Sequence, residues 1–235
     1  MAAVWQFGEM MEMQAVQQAF DWEILKEIPK NRVFDQNAPD IIFPSDNPFG
    51  VPLLDPEMQA DYLIAPFAAW GTMSRKSQMS GTWNFYIEDY RFENLWKNPG
   101  QVIFTNCVAA VEPNFSIYTD MPGAVALWMV YRKRWISRWW QSRGIKIFVD
   151  LNVAHKHFEL NWLGVPRGWK AYATRAYAER LNETEEEYRA AVEHAEGGQI
   201  LFVVYGGGKK ARELAERNAW IWYPDQETVK EARNG

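Results

Sequence analysis

Five carboxylates of this sequence stand where α/β proteins commonly do chemistry. Glu88 and Asp89 end the run WNFYIED, Glu112 follows CVAAV, Asp120 comes a few residues later, and Asp150 ends IKIFVD. Carboxylates gathered from several strand tips have two uses: they supply hard oxygen ligands to Mg²⁺, or they divide into a proton donor and a proton acceptor. We read Glu88, Asp89, Glu112, Asp120 and Asp150 as the candidate catalytic set. Asp89 and Asp150 are its candidate metal ligands, and Mg²⁺ is the only cofactor the set points to. Asn114, Ser116, Asn152, Arg175 and Tyr205 add polar groups at the same or neighbouring tips. The plainer alternative is that such groups cap helices and face water, as they do in every α/β protein.

A second set is cationic. In VVYGGGKKARELAERN, Gly206, Gly207 and Gly208 follow an apolar run and open a helix, and Lys209 and Lys210 add charge. Backbone N–H groups in such a turn can face an anion, although the spacing is neither a P-loop nor a dinucleotide fingerprint and an ordinary turn would look the same. In YRKRWISRWWQSRG, residues 131–144, helical spacing puts Trp128, Tyr131, Trp135 and Trp139 on one stripe and Arg134, Arg138 and Gln141 on another, with Arg132 and Arg143 on the flank. We read the aromatic stripe as packing and Arg132, Arg134 and Arg138 as exposed candidates for phosphate contacts, with Trp140 near enough to stack on a base. The same arginines would equally pair with strand-end carboxylates. His155 and His157, with Asp150, form a weaker metal-ligand set of unrecognised spacing. His194, in an acidic helix, reads as solvated surface. Arg75 and Lys76 lie in a polar loop that suits a lid or a plain connection.

These residues need elements to hold them. From residue 60 the chain alternates short apolar runs with helical patterns: DYLIAPFA, WNFYIED, the helix-like YRFENLWKN, CVAAVEPNFSIY, a long helix GAVALWMVYRKRWISRWWQSR closed by Gly144, IKIFVDLN, a weaker WKAYATRAY, the helix NETEEEYRAAVEHAEGG, QILFVVY, the helix after the glycines, and AWIWYP. Repeated strand–helix–strand units predict an α/β fold with a mainly parallel sheet of six or seven strands. That is an incomplete or distorted barrel or an open sheet, and either places ligands at the carboxyl ends of the strands. The first fifty residues differ. Met13, Val16, Phe20 and Ile24 share a helical stripe and a Pro- and Asn-rich stretch follows. We therefore divide the chain into an N-terminal helix and extended arm, 1–50, and one α/β domain, 51–235, with the arm either docked on its own domain or serving as a homo-oligomer contact.

Charge and composition limit the partners. A net charge of -5 argues against a wholly basic nucleic-acid-binding surface, though not against a local groove. One cysteine, Cys107, forms no disulfide within the chain and suggests a reducing compartment. The longest strongly apolar run, AVALWMVY, is far short of the roughly 20 residues that span a bilayer. No membrane partner is expected, and with no signal peptide visible the expected location is the cytoplasm.

Several segments together resemble an uncharacterised family, a domain of unknown function carried by phages, prophages, plasmids and other mobile elements of bacteria. Its F-I-D-D strand followed by F-E-x-x-W-x-x-P is similar to FYIEDYRFENLWKNP, residues 85–99. Its P-D-F-S-x-Y-x-D-M-P is similar to EPNFSIYTDMPGA, residues 112–124, and Y-R-x-R-W and Y-W-Q-x-x-G-I are similar to YRKRW and WWQSRGI. GVPRG and the late Tyr205-Gly206 complete a match over roughly 83–207. Two positions depart from the pattern: Glu88 replaces an Asp, and Asn114 replaces an acid and removes a charge. The resemblance implies a phage or mobile-element context, in the cytoplasm of a bacterial host, and no particular reaction. Combined with the arginines and the Gly–Lys turn, it leads to the expectation of a protein that binds or acts on nucleic acid in replication or DNA processing. The alternatives are a carboxylate-dependent enzyme on a small phosphorylated or sugar-like substrate, and a virion or assembly component.

Overall fold

The computed structural model of the chain describes residues 41–72 and 78–225. The N-terminal helix, its oligomer-forming role, Arg75 and Lys76 lie outside the described residues. Those from Ile42 onward belong to one unit built on seven strands: β1 Phe67–Ala69, β2 Thr82–Asn84, β3 Ala109–Val111, β4 Lys146–Asp150, β5 Ala171–Ala176, β6 Leu201–Gly206 and β7 Ile221–Tyr223. They pair in chain order and every pairing is parallel. The sheet curls into a nearly closed barrel. Among the described residues no ladder joins β1 to β7, but Phe67 and Tyr223 bring their rings to 5.1 Å across that seam.

Alternation along each strand fills both sides of the wall. Ala109, Val111, Phe148, Ala171, Ala173, Val203 and Tyr205 point inward, where they meet Phe67 and Tyr86 in one apolar cluster. Ala110, Ile147, Val149, Tyr172 and Val204 point outward into the larger cluster beneath the helices. The helices are α1 Gly100–Ile103, α2 Gly123–Gln141, α3 Leu181–His194 and α4 Gly208–Asn218. The segment expected as a helix at YRFENLWKN instead makes two 3₁₀ turns, Asp89–Arg91 and Glu93–Trp96, parted by Phe92 at φ -127°. His155–Trp162, which carries no clear helical period, is also 3₁₀.

Helix α2 corrects the expected division into an aromatic packing face and a cationic outer face. Trp128 is 37% exposed and stacks on Tyr131 at 5.7 Å, whereas Arg134 is 0% exposed and Arg132, Lys133 and Gln141 are buried. Trp140 is not available to a base: it is fully buried, stacks on Phe85 at 5.5 Å, and its indole N–H donates to the Pro99 carbonyl at 2.9 Å. The physical reason is that this face of α2 covers the ends of β3 and β4 and the 155–163 segment, whose carboxylates and carbonyls replace the water these cations give up. Gly144, at φ +87°, follows the helix end as expected. His194 is likewise not surface. At 6% exposure it stacks on Trp162 at 4.3 Å, and its Nε2–H lies 3.1 Å from the carbonyl oxygens of Val165 and Pro166.

Candidate active site at the barrel mouth

The carboxyl ends of β3 and β4 carry two buried ion pairs to consecutive residues of α2. Glu112 directly follows β3 and meets Arg134, whose Nε and Nη2 donate to the carbonyls of Leu163 at 3.0 Å and Asn161 at 2.7 Å. Asp150 ends β4, and Lys133 Nζ lies 3.1 Å from its Oδ2 and 3.1 Å from its carbonyl oxygen. A 3.2 Å bond from the Asp150 N–H to Glu112 Oε2 ties the two pairs together. All four charges are out of water, so each ion is held only by its partner and by the surrounding dipoles.

Asp150 in turn sets the next layer. Its Oδ1 accepts from the Asn152 N–H at 3.1 Å. The Asn114 amide, oriented to satisfy its neighbours, donates to Asp150 Oδ2 and to the Asn152 carbonyl, both at 3.2 Å, and accepts from Asn152 Nδ2 at 3.0 Å. An acid at position 114 would face Asp150 with like charge; the amide joins it instead. Asn114 and Asn152 then line a cavity of about 480 Å³ over the ends of β2 to β5, walled by Ile117, Arg175, Tyr177 and, from α3, Glu183 and Glu187. This is the size and the place of a small-molecule site in a parallel barrel.

A second buried polar group lies close by. Tyr86 is 2% exposed, stacks on Tyr205 at 5.5 Å, and its hydroxyl makes no hydrogen bond of good geometry among the described residues, the Asp150 carboxylate being the acceptor that acts on it. Burial, with the negative charges of Asp150, Glu187 and Glu112, pushes this phenol well above its ordinary range. Glu187 Oε2 is also buried without a partner, beside the Thr174 hydroxyl. Burial, then the charges of Asp150 and Glu183, raise its carboxyl well above the usual range, against smaller opposing effects of Thr174 and Arg180.

The sequence-read residues fall into distinct places. Glu112 and Asp150 come together in the ion-pair network. Glu88 is exposed on the cavity rim, 3.8 Å from Arg91. Asp89 accepts from the Ser116 N–H at 3.0 Å and hydroxyl at 2.8 Å, which fixes the segment after β3. Asp120 is exposed and apart from the cavity lining. Among the described residues no three His, Cys, Asp or Glu side chains converge to hold a metal ion: Asp89 is bound to Ser116, Asp150 to Lys133, His157 Nε2 meets the Met121 carbonyl at 3.0 Å, and His155 is exposed.

The cationic set disperses. Arg134 is consumed by Glu112, which was the alternative reading of the helix. Arg132 lies 3.9 Å from the Phe115 ring centre and 3.9 Å from Glu93. Arg138 is half-buried over Phe43. Gly206, Gly207 and Gly208 all have positive φ, and a Cβ on Gly207 would stand 2.6 Å from that of Ala211, so this turn serves the close seating of α4 on the end of β5. Lys209 pairs with Glu213 at 3.7 Å and Lys210 is exposed; neither lines the cavity.

Lys133, Tyr86 and Glu187 escaped the sequence reading. Lys133 was passed over between two arginines. Glu187 was not singled out in its acidic helix, yet Thr184, Glu187, Ala191 and His194 share one helical face, and the other three are buried. That spacing was the available signal.

Comparison with known proteins fits this picture of a phage-associated chain. A 132-residue stretch is 35% identical to the Gene 1 protein of Mycobacterium phage D29, covering 54% of this chain and 48% of that protein. Over 132 residues it is 34% identical to the Gene 1 protein of Mycobacterium phage L5, covering 54% and 56% respectively. The chain therefore spans about half the length of the curated relatives it matches. No solved structure matches it. The family model "Domain of unknown function (DUF4417)" matches residues 43–208, which take in β1 to β6, both ion pairs and the cavity, and the chain belongs to that family.

Proposed function

We propose that the barrel mouth is the active site of a carboxylate-dependent enzyme acting on a small sugar-like or phosphorylated substrate. The observation that carries this reading is the cavity of about 480 Å³ with Asn114 and Asn152 presented on a buried Asp150–Lys133 pair. Asn114 directs both amide hydrogens to Asp150 and the Asn152 carbonyl and so holds Asn152 in place, whose second amide hydrogen and Oδ1 suit the hydroxyls of a polyol. Arg175, at the rim, suits a phosphate or carboxylate on the same ligand. The nucleic-acid reading drew on Arg132, Arg134 and Arg138. Two of these are buried within the protein and the third is half-buried, so the small-substrate reading takes precedence.

The test is a calorimetric panel of simple sugars, polyols and sugar phosphates, with and without Mg²⁺. Binding to the native chain is expected, weakened at least about tenfold by Asn152→Ala, the loss of one or two good hydrogen bonds. Absence of binding throughout the panel, or binding indifferent to Asn152→Ala, counts against the proposal.

A further inference from the structure

The site as described has fixed polar groups but no assigned proton donor. Glu187 reaches the cavity from α3, and one of its oxygens is buried without a partner. Among the described residues, none of the cations around the cavity forms an ion pair with it: Lys133 pairs with Asp150, Arg180 lies 3.3 Å from Glu183 and opposes the shift of Glu187 only weakly, and Arg175 reaches the Tyr86 carbonyl at 3.5 Å. Other groups around it are neutral or negative: Tyr86 from the end of β2, Thr174 from β5, Asp150 from β4 and Glu183 from its own helix. His155 and Glu186 also line the cavity but lie 4.0 Å from each other on its exposed side. A carboxyl with one oxygen buried and no dedicated cation is favoured in its neutral form. Its neighbour Asp150 has the opposite environment, a buried lysine at 3.1 Å.

We infer that Glu187 is the proton donor of this site, its carboxyl hydrogen passing to an oxygen or nitrogen of the bound ligand, while the ion-paired Asp150 stays behind the cavity wall and fixes Asn114 and Asn152. This rests on the barrel-mouth reading. One proton passes from Glu187 to the ligand heteroatom, leaving a carboxylate, and solvent returns the proton once the product leaves. A carboxyl kept neutral by its surroundings is the usual form of such a donor.

The experiment needs no substrate. The full chain is treated at pH 7 with a water-soluble carbodiimide and glycine ethyl ester, a reaction selective for protonated carboxyls, and labelled sites are mapped by mass spectrometry. Ordinary carboxylates carry a proton in under about 1% of molecules at that pH, so Glu187 is expected to label at least about tenfold faster than Glu183 and Glu186 on the same helix. The infrared band of a protonated carboxyl at pH 7 should also disappear in Glu187→Gln. Labelling no faster than at Glu183 and Glu186 overturns the inference whether the cause is ionisation or inaccessibility, because a donor must be both protonated and reachable. That failure, beside a positive ligand panel, leaves the cavity as the site with its donor elsewhere. Fast labelling beside a negative panel removes the substrate class and leaves the donor assignment.

Discussion

At the residue scale, the two ion pairs make strong demands. Removing one partner of a buried pair leaves an uncompensated charge, at a cost of about 3–5 kcal/mol, whereas replacing both with apolar groups is far milder. Arg134→Met should therefore destabilise the protein by that amount in urea denaturation, and Arg134→Met with Glu112→Leu should recover much of the loss. Glu187 gives a pH signature of known sign. Its folded-state carboxyl is raised above 4.5, so the folded protein keeps a proton that the unfolded chain has released. The group favours folding fully below that range, and its contribution is lost as pH rises toward the raised value. Glu187→Gln should abolish that decline, so the melting temperature of the variant should gain on the native chain as pH rises from about 5 toward the raised value. A constant difference would mean that the carboxyl is not raised.

At the element scale, the strands were readable and the burial of charge was not. WNFYIED, IKIFVD and QILFVVY are apolar runs with polar tips, and they become β2, β4 and β6 or lead out of them. Gly144 marked the end of α2. The fate of Arg134 was not legible, because a helical wheel says which residues share a face but not which face meets a strand end. Its carboxylate partner is 22 residues away in sequence and its carbonyl partners are 27 and 29 away. His194 was misread for the same reason: an acidic helix conceals one side that packs. The glycine turn before α4 yields a separate prediction. Gly207→Ala combines a left-handed backbone, worth about 1–2 kcal/mol, with overlap against Ala211. Gly208→Ala meets nothing within 4 Å and carries the backbone term alone. Thermal melts should rank Gly207→Ala below Gly208→Ala. Equal melting temperatures would mean that close seating of α4 is not what the turn provides.

At the scale of the whole molecule, a seven-stranded parallel barrel gathers its strand tips at one end, and that is where the chain concentrates buried charge, paired amides and a cavity. The net charge of -5 and the engaged arginines point the same way, toward a small ligand rather than a phosphate backbone. Among the described residues no helix is long and apolar enough to cross a membrane. The most direct test is methyl-resolved NMR of the full chain titrated with the sugar and sugar-phosphate panel and, in parallel, with short single-stranded DNA. The account predicts that a panel member shifts Ile87, Ile117 and Val153, the methyl-bearing walls of the cavity, while DNA leaves them unmoved at moderate salt. Shifts confined to Val125 and other outer methyls of α2, produced by DNA and suppressed by salt, would contradict it.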